Sequence, residues 1–412
     1  MAPRSRLPFY GMLTAAGVSM LGTEMTVIGV PWYVLVTTGS PARAGLVGFF
    51  TVLAEVASGI LSGAIVDRLG RRTSSIVADL GSATAIAVVP VLAATAGLQF
   101  WQLVVLISIR SLFDAPGSAA RTSLVVDAAT RAGIELPRAN SAAQAVTRGA
   151  GLVGAPVAGI LIAVIGPANI LWFDAASFAL SAAIFIAAVP GSMGRSGTTR
   201  SEGYLADLRG GFRAMAADPL VRSIVLLVVL TNFLEAPMFS VITPVYARSG
   251  HGGATGLGIL VGALSLGGVL GALLYGQFAR WVPRGPAYIA FFTAWGVSIL
   301  ALAMVPGLAI PTAIMLFGGF AAGPLNVIIT TALQERIAPE MHARVFATAR
   351  ASAYVAIPLG VLAGGFAVQS WGVTRVLIFI GTAYTLTALS MGFNRHIRGM
   401  RAPAAIVTTP AG

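Results

Sequence analysis

The chain of 412 residues contains no cysteine and no lysine. Without cysteine there is no disulfide, no thiolate metal site and no cysteine nucleophile. Without lysine there is no Walker-type phosphate loop, no Schiff base and no lysine general base. All 26 basic residues are therefore arginine. Histidine is nearly absent too: His251, His342 and His396 are scattered between apolar segments, and no metal site is expected from them. Charge of either sign is scarce, at 10% of residues, against about 25% in soluble domains. A soluble protein of this length could not cover its surface with so few charges. What fills their place is apolar: 57% of residues are hydrophobic and the mean hydropathy is +0.87. Such a chain belongs largely inside a bilayer.

The net charge of +12 raises the question of nucleic acid. The arginines answer it, because they fall in short runs between apolar segments, where a membrane surface would meet them. A lipid bilayer is the expected partner, and nucleic acid is not. Lysine-free composition rich in Ala, Gly and Arg suggests a GC-rich bacterial source.

About 20 apolar residues cross a bilayer as a helix. Twelve such stretches are read near 9–35, 44–65, 75–96, 100–122, 140–164, 168–190, 220–246, 256–279, 286–305, 309–333, 345–369 and 373–393. With the N-terminus inside, 20 of the 26 arginines fall in cytoplasmic segments and three, Arg43, Arg248 and Arg375, in outer loops. Arg110, Arg148 and Arg350 fall within predicted helices. The bias predicts both termini in the cytoplasm and a multi-pass protein of a bacterial cytoplasmic membrane. No cleavable signal is read, since the stretch after Arg4 and Arg6 runs past signal-peptide length.

The longest polar stretch, 191–218, reads as a cytoplasmic linker in which 204–217 forms a short surface helix. It separates a six-helix unit at 1–190 from a second at 219–394, followed by a cytoplasmic tail at 395–412. The halves repeat. At an offset of 213, Pro31 aligns with Pro244, Tyr33 with Tyr246, Gly45 with Gly258, Gly63 with Gly276 and Arg71 with Arg284. At an offset of 202, Pro137 aligns with Pro339, Arg148 with Arg350 and Pro156 with Pro358.

After the second apolar stretch the chain reads GAIVDRLGRR, from Gly63 to Arg72. Gly63 suits close helix contact, and Gly70 suits a turn with positive φ. The order Gly63, Asp67-Arg68, Gly70, Arg71-Arg72 resembles the signature loop between helices two and three of major facilitator superfamily transporters. The resemblance implies an all-α membrane fold, with twelve transmembrane helices in two pseudo-symmetric six-helix bundles around a central site, and a monomer. In the second half the motif has decayed, with Arg280 and Pro283 in place of Asp67 and Gly70. Three further stretches resemble the drug-exporting, macrolide-efflux-like branch. They are Ala139-Asn140-Ser141, the GLVGAPVAG run from Gly151 to Gly159, and Asp174 to Phe178. The run resembles the helix-five antiporter motif at Gly151, Gly154, Pro156 and Gly159, with Ala155 and Ala158 replacing two of its glycines.

A charge at the bilayer centre costs roughly 2.5–3.5 kcal/mol on insertion scales. Glu24, Glu55 and Glu235 lie within helices one, two and seven, and Arg110 and Asp114 within helix four. A carboxyl on a cavity-lining helix can take a proton on one side of the membrane and release it on the other. Glu24 and Glu235 occupy corresponding helices and are the expected coupling pair; the alternative is a structural Glu bonded to a neighbouring helix. Arg110 resembles the helix-four arginine linked to proton transfer, and it stands one turn from Asp114, so the two can pair. Glu55 is read as lining the cavity or its mouth.

Asp67 is the gate candidate, accepting bonds from the start of helix eleven near Val345. Arg71 or Arg72 would pair with Asp127 or Glu135 in the next cytoplasmic loop. Tyr33, Phe113, Phe239 and Tyr354 offer aromatic faces to a cavity, with packing as the alternative. Gln144, Asn232 and Asn326 are its polar candidates. The expected function is export of an amphipathic small molecule, such as a drug or macrolide, against protons and without a cofactor beyond the proton gradient. Export of an endogenous metabolite such as a siderophore is the alternative, and a transporter-like receptor a third reading. No nucleophile or metal set for an enzyme is visible.

Overall fold

The computed structural model describes residues 5–191, 193, 212–213, 215–216, 218–279, 281–337, 341–398 and 400, without the side chains of residues 342–344, 347, 350, 395 and 396. Among the described residues twelve helices are long and apolar enough to cross a membrane. They are α1 (Leu7–Thr38), α2 (Pro41–Leu69), α3 (Arg71–Thr95), α4 (Phe100–Ala132), α5 (Leu136–Ile165), α6 (Ile170–Ala188), α7 (Pro219–Arg248), α8 (Gly253–Phe278), α9 (Arg284–Leu302), α10 (Ala309–Arg336), α11 (Ala351–Trp371, with a helical lead-in from His342) and α12 (Val373–Phe393). Among the described residues there is no strand. In a bilayer only such helices satisfy every backbone group internally. The expected linker helix at 204–217 and the tail beyond Met400 lie largely outside the described residues.

Helix starts and stops follow local chemistry. The Ser40 hydroxyl accepts the Arg43 backbone N–H at 3.3 Å and caps α2. Gly70, at φ +80°, turns the chain sharply from α2 into α3, a conformation open to glycine. The largest departure from the expected boundaries is α4. It continues ten residues beyond the apolar stretch, to a left-handed Gly133 at φ +67°. Ala, Val and Thr sustain a helix there whether or not lipid surrounds it. Asp127 therefore rides on α4 and does not belong to a loop. In α7 the α-helix stops at Glu235, and a π turn at Met238–Ile242 follows Pro237, which has no N–H to donate.

The chain forms two compact units that do not follow its two halves. The first comprises residues 1–200 together with 236–262 and 357–370; the second comprises 201–235, 263–356 and 371–412. In the first unit α1 packs on α5 and α6, α3 on α4 and α6, and α2 on α4. In the second, α9 packs on α10 and α12, the same neighbours that α3 has in the first half.

Small residues make these contacts close. Inside the first unit α2 crosses α11 at Gly45 and Gly365, and α5 crosses α8 at Gly159 and Gly258. A Cβ on Gly45 would lie 2.8 Å from the Gly365 Cα, and one on Gly159 would lie 2.8 Å from the Gly258 Cα. Gly45 and Gly258 are the pair related by the 213-residue repeat, so the repeat has placed matching crossings. Gly262 accepts the Pro156 ring in the same groove. In the second unit Gly319 and Gly323 of α10 meet the backbone of α8. Without a hydrophobic drive between helices in lipid, this backbone approach is what holds them together.

Gly63 behaves differently. Expected at a close helix contact, it has no described atom within 4 Å of where a Cβ would stand, and neither has its repeat partner Gly276. Gly319→Leu should therefore lower the thermal midpoint of the purified protein, by a loss of about 1–3 kcal/mol or more as overpacked sites show. Gly276→Ala should leave it unchanged, and a thermal melt in detergent measures both.

Candidate functional site

The buried polar core of the first unit is built around one guanidinium. Arg110 of α4 is only 3% exposed. Its Nη1 donates to Asp114 Oδ2 at 2.8 Å, one helical turn away on α4. Its Nη2 donates to the Thr23 hydroxyl of α1 at 3.0 Å. Its Nε lies 3.7 Å from Asp174 Oδ2 on α6 and is itself buried without a hydrogen bond. The Phe178 ring lies under the guanidinium at 5.3 Å. Asp174 has no exposure, and its Oδ2 accepts from the Thr26 hydroxyl of α1. Glu55 of α2 also acts electrostatically on Arg110. Glycine at position 22 permits this arrangement, since a Cβ there would stand 2.5 Å from Asp174 Oδ1.

A second buried pair sits on α3 and α4. Asp79, with no exposure, accepts from Arg121 Nη1 at 2.8 Å and from the Ser181 hydroxyl of α6 at 2.6 Å. Arg121 was expected in a cytoplasmic segment; its place is on α4, mostly buried, because Asp79 draws it inward. Asp79 and Asp174 are functional-site candidates that sequence reasoning passed over. Each stands within the first few turns of an apolar helix, and a carboxylate in that position was the available signal.

Glu24 lies against α5. A Cβ on Gly154 would stand 2.5 Å from the Glu24 Cβ, and one on Gly151 would stand 3.7 Å from its Oε1. The helix-five glycines thus open the space that Glu24 fills, while Pro156 and Gly159, further along, face α8.

The second unit has its own buried acid, Glu235, at the last α-helical turn before the π turn. Trp295 and Tyr384 stand beside it. The Trp295 indole N–H is buried without an acceptor in hydrogen-bonding geometry. Tyr288, Phe292 and Tyr384 form a continuous aromatic cluster, with ring centroids 4.7 and 5.5 Å apart. Gly318 of α10 accepts the Trp295 ring edge. None of these aromatic residues was anticipated, since aromatic residues on an apolar helix carry no mark of what they face.

The signature loop is held by its arginines. Arg71 donates to Asp127 Oδ2 at 3.0 Å, so of the two expected acids Asp127 is the partner. Arg72 donates to the carbonyls of Val189 at 2.6 Å and Ile186 at 3.0 Å, capping the end of α6. Asp67 and Arg68 are exposed at the end of α2. The repeat partner of Arg71, Arg284, makes a two-pronged pair with Glu335 on α10. Nearby in the second unit, Asp218 caps α7 through the N–H groups of Leu220 and Val221 and accepts from Arg336 Nε at 2.6 Å. Burial pushes the Asp218 carboxyl up, but the Arg336 and backbone bonds outweigh it and hold the group below its usual value.

The remaining expected cavity residues do not gather at one place in either unit. Tyr33 lines a cavity of about 320 Å³ with Thr37, Arg43, Gln99 and Phe100, beside the α1–α2 turn. Phe113 packs its ring on Gly81 of α3, where a Cβ would stand 2.6 Å away, so it serves helix packing. Gln144 and Asn326 are exposed on α5 and α10; Asn232 and Phe239 are half-buried on α7, and Tyr354 on α11. Arg148 is exposed, and the side chain of Arg350 lies outside the described residues.

Twelve apolar helices, a repeated pairing of helices in each half, and buried acids paired across helices define a membrane transporter. The Major Facilitator Superfamily profile matches residues 12–360, and the chain belongs to that superfamily. It is 31% identical to the multidrug efflux pump Tap of Mycolicibacterium fortuitum, over 97% of this chain and 98% of that one. It is 22% identical to macrolide efflux protein A of Streptococcus pyogenes, over 95% and 97%. The crystal structure of the nucleoside transporter NupG shares the fold, with a TM-score of 0.78 at 13% identity over 94% of this chain and 98% of that one.

Breaking one partner of a buried ion pair strands the other. Arg121→Ala should cost about 3–5 kcal/mol and lower the thermal midpoint in detergent. The double variant Asp79→Asn/Arg121→Met should recover part of the loss, because no uncompensated charge is left behind.

Proposed function

We propose that this protein exports amphipathic small molecules of the drug or macrolide type by alternating access, driven by protons entering the cell. The observation that carries the reading is a carboxylate within the membrane on the first helix of each half. Glu24 is seated in the space that the helix-five glycines open. Glu235 stands among aromatic side chains at the break in α7. One charge moving through 100 mV contributes about 2.3 kcal/mol, enough to work against a concentration gradient. The names of the relatives, a multidrug efflux pump and a macrolide efflux protein matched over nearly the whole chain, support export and its chemical class.

The protein works as a monomer in a bacterial cytoplasmic membrane, with both termini inside, as the arginine bias supports. No cofactor takes part; the proton gradient takes its place. The first six spans and the last six, joined by the 191–218 segment, are the two repeated halves whose alternation carries the substrate across. Asp67, Arg68 and Gly70 form the cytoplasmic gate with Arg71, Arg72 and Asp127. Glu55, Gln144, Asn232, Asn326, Tyr33, Phe239 and Tyr354 supply substrate contacts.

Everted membrane vesicles test the coupling. Glu24→Gln and Glu235→Gln should each reduce drug uptake driven by a pH gradient roughly tenfold or more. Full gradient-driven transport by both variants would refute the assignment. Asp67→Asn should slow transport while the protein stays folded and monodisperse, and normal transport by it would remove the gate.

A further inference from the structure

Two acids, Asp114 and Asp174, face the single guanidinium of Arg110. With both ionised the group carries more negative than positive charge inside a membrane-spanning bundle, an arrangement whose cost a proton relieves. The acids are not equivalent. Asp114 has a side chain 28% exposed, whereas Asp174 is sealed. Asp174 is also under-bonded. Its Oδ2 has one donor, Thr26, and its Oδ1 is buried without a well-directed hydrogen bond, the Ser177 hydroxyl beside it donating instead to the Asp174 backbone carbonyl at 2.8 Å. Arg110 Nε, 3.7 Å from the Oδ2 that Thr26 already bonds, is likewise without a bond. A buried donor without a bond, just beyond bonding distance of a buried carboxylate, is costly where it stands. A small shift of the arginine would join them.

We propose that Asp174 is a proton-exchanging carboxyl of the transport cycle, with Arg110 passing between it and Asp114 as that proton comes and goes. When Asp174 is ionised, Arg110 moves toward it and its Nε donates to the carboxylate. When a proton binds at Oδ1, the attraction weakens and Arg110 returns to Asp114, the contact recorded here. The proton enters and leaves by way of Asp114, the more exposed of the two carboxyls. No bond other than O–H forms or breaks. The exchange is felt on α1, because Thr23 is bonded to Arg110 and Thr26 to Asp174, and Glu24 lies between them in sequence.

The charged groups on every helix around Asp174 are accounted for. From α4 come Arg110, Asp114 and Arg121; from α3 comes Asp79, already paired with Arg121 and Ser181. From α1 comes Glu24, and from α2 Glu55. The charges of α5, Arg138 and Arg148, are exposed.

The inference rests on the proton-driven reading, and the experiment separates the two. Infrared difference spectra of the purified protein between acid and alkaline pH need neither drug nor gradient. A protonated-carboxyl band lost in Asp174→Asn and kept in Glu24→Gln is the expected result; an unchanged band in Asp174→Asn overturns the proposal. In everted vesicles Asp174→Asn should lose gradient-driven uptake yet keep drug counterflow, and Asp174→Glu should restore part of the driven uptake. Driven uptake at the wild-type rate in Asp174→Asn also overturns it. If the wild-type protein shows no gradient-driven uptake, the proton-driven reading fails by itself, while the infrared result still decides whether Asp174 exchanges a proton. Should Asp174→Asn fail to fold, Thr26→Val serves: it should shift the pH midpoint of the band, and an unmoved midpoint overturns the proposal.

Discussion

The structure depends on one constraint: a charge drawn into the membrane-spanning helices must be answered there, by another charge or by a donor on a different helix. Arg110 and Asp174 meet this constraint by tying α4 to α1 and α6. Asp79 meets it by tying α3 to α4 and α6. Of these pairs α3 with α4 and α3 with α6 also pack extensively, whereas α4 meets α1 only lightly. The polar side chains therefore do more than add to stability. They fix which helix faces meet and at what depth, since a slip of one turn would leave a buried carboxylate without its partner.

Glycine supplies the other half of the design. Lipid is as apolar as leucine, so helices gain little from hiding leucine from it. Contact instead comes from backbone approach, and other glycines make room for a polar or aromatic side chain. Gly22 leaves room for Asp174, Gly154 for Glu24 and Gly318 for the Trp295 ring beside Glu235. Where glycine faces glycine, at Gly45–Gly365 and Gly159–Gly258, two helix backbones cross with nothing between them. Such crossings can form and part without repacking large side chains, which suits the alternating access proposed above.

The two halves have kept the framework and let the chemistry diverge. Arg71 and Arg284, related by the repeat, each pair with an acid on the fourth helix of their half, Asp127 and Glu335. The buried acids, in contrast, have different company. In the first half Asp114 and Asp174 share Arg110, and Asp79 has Arg121. In the second, Glu235 stands among Trp295, Tyr384 and their aromatic neighbours. A carboxylate answered by a guanidinium and one set among aromatic rings respond differently to a proton.

Much of this was legible in the order of residues. Scarce charge and long apolar runs determine a membrane protein of twelve helices, because a charge-poor surface can face only lipid. The GAIVDRLGRR loop and the doubled pattern of prolines and glycines determine the superfamily and the repeat. Arg110 with Asp114 is a one-turn pair that spacing alone reveals. The sequence could not show that Asp174 reaches Arg110, that Arg121 turns inward to Asp79, that Phe113 serves packing, or that aromatic rings surround Glu235. Those facts rest on contacts between helices far apart in the chain, and a helix carries no mark of the angle at which it faces its neighbours. Tertiary packing decides that angle, and with it which buried charges meet.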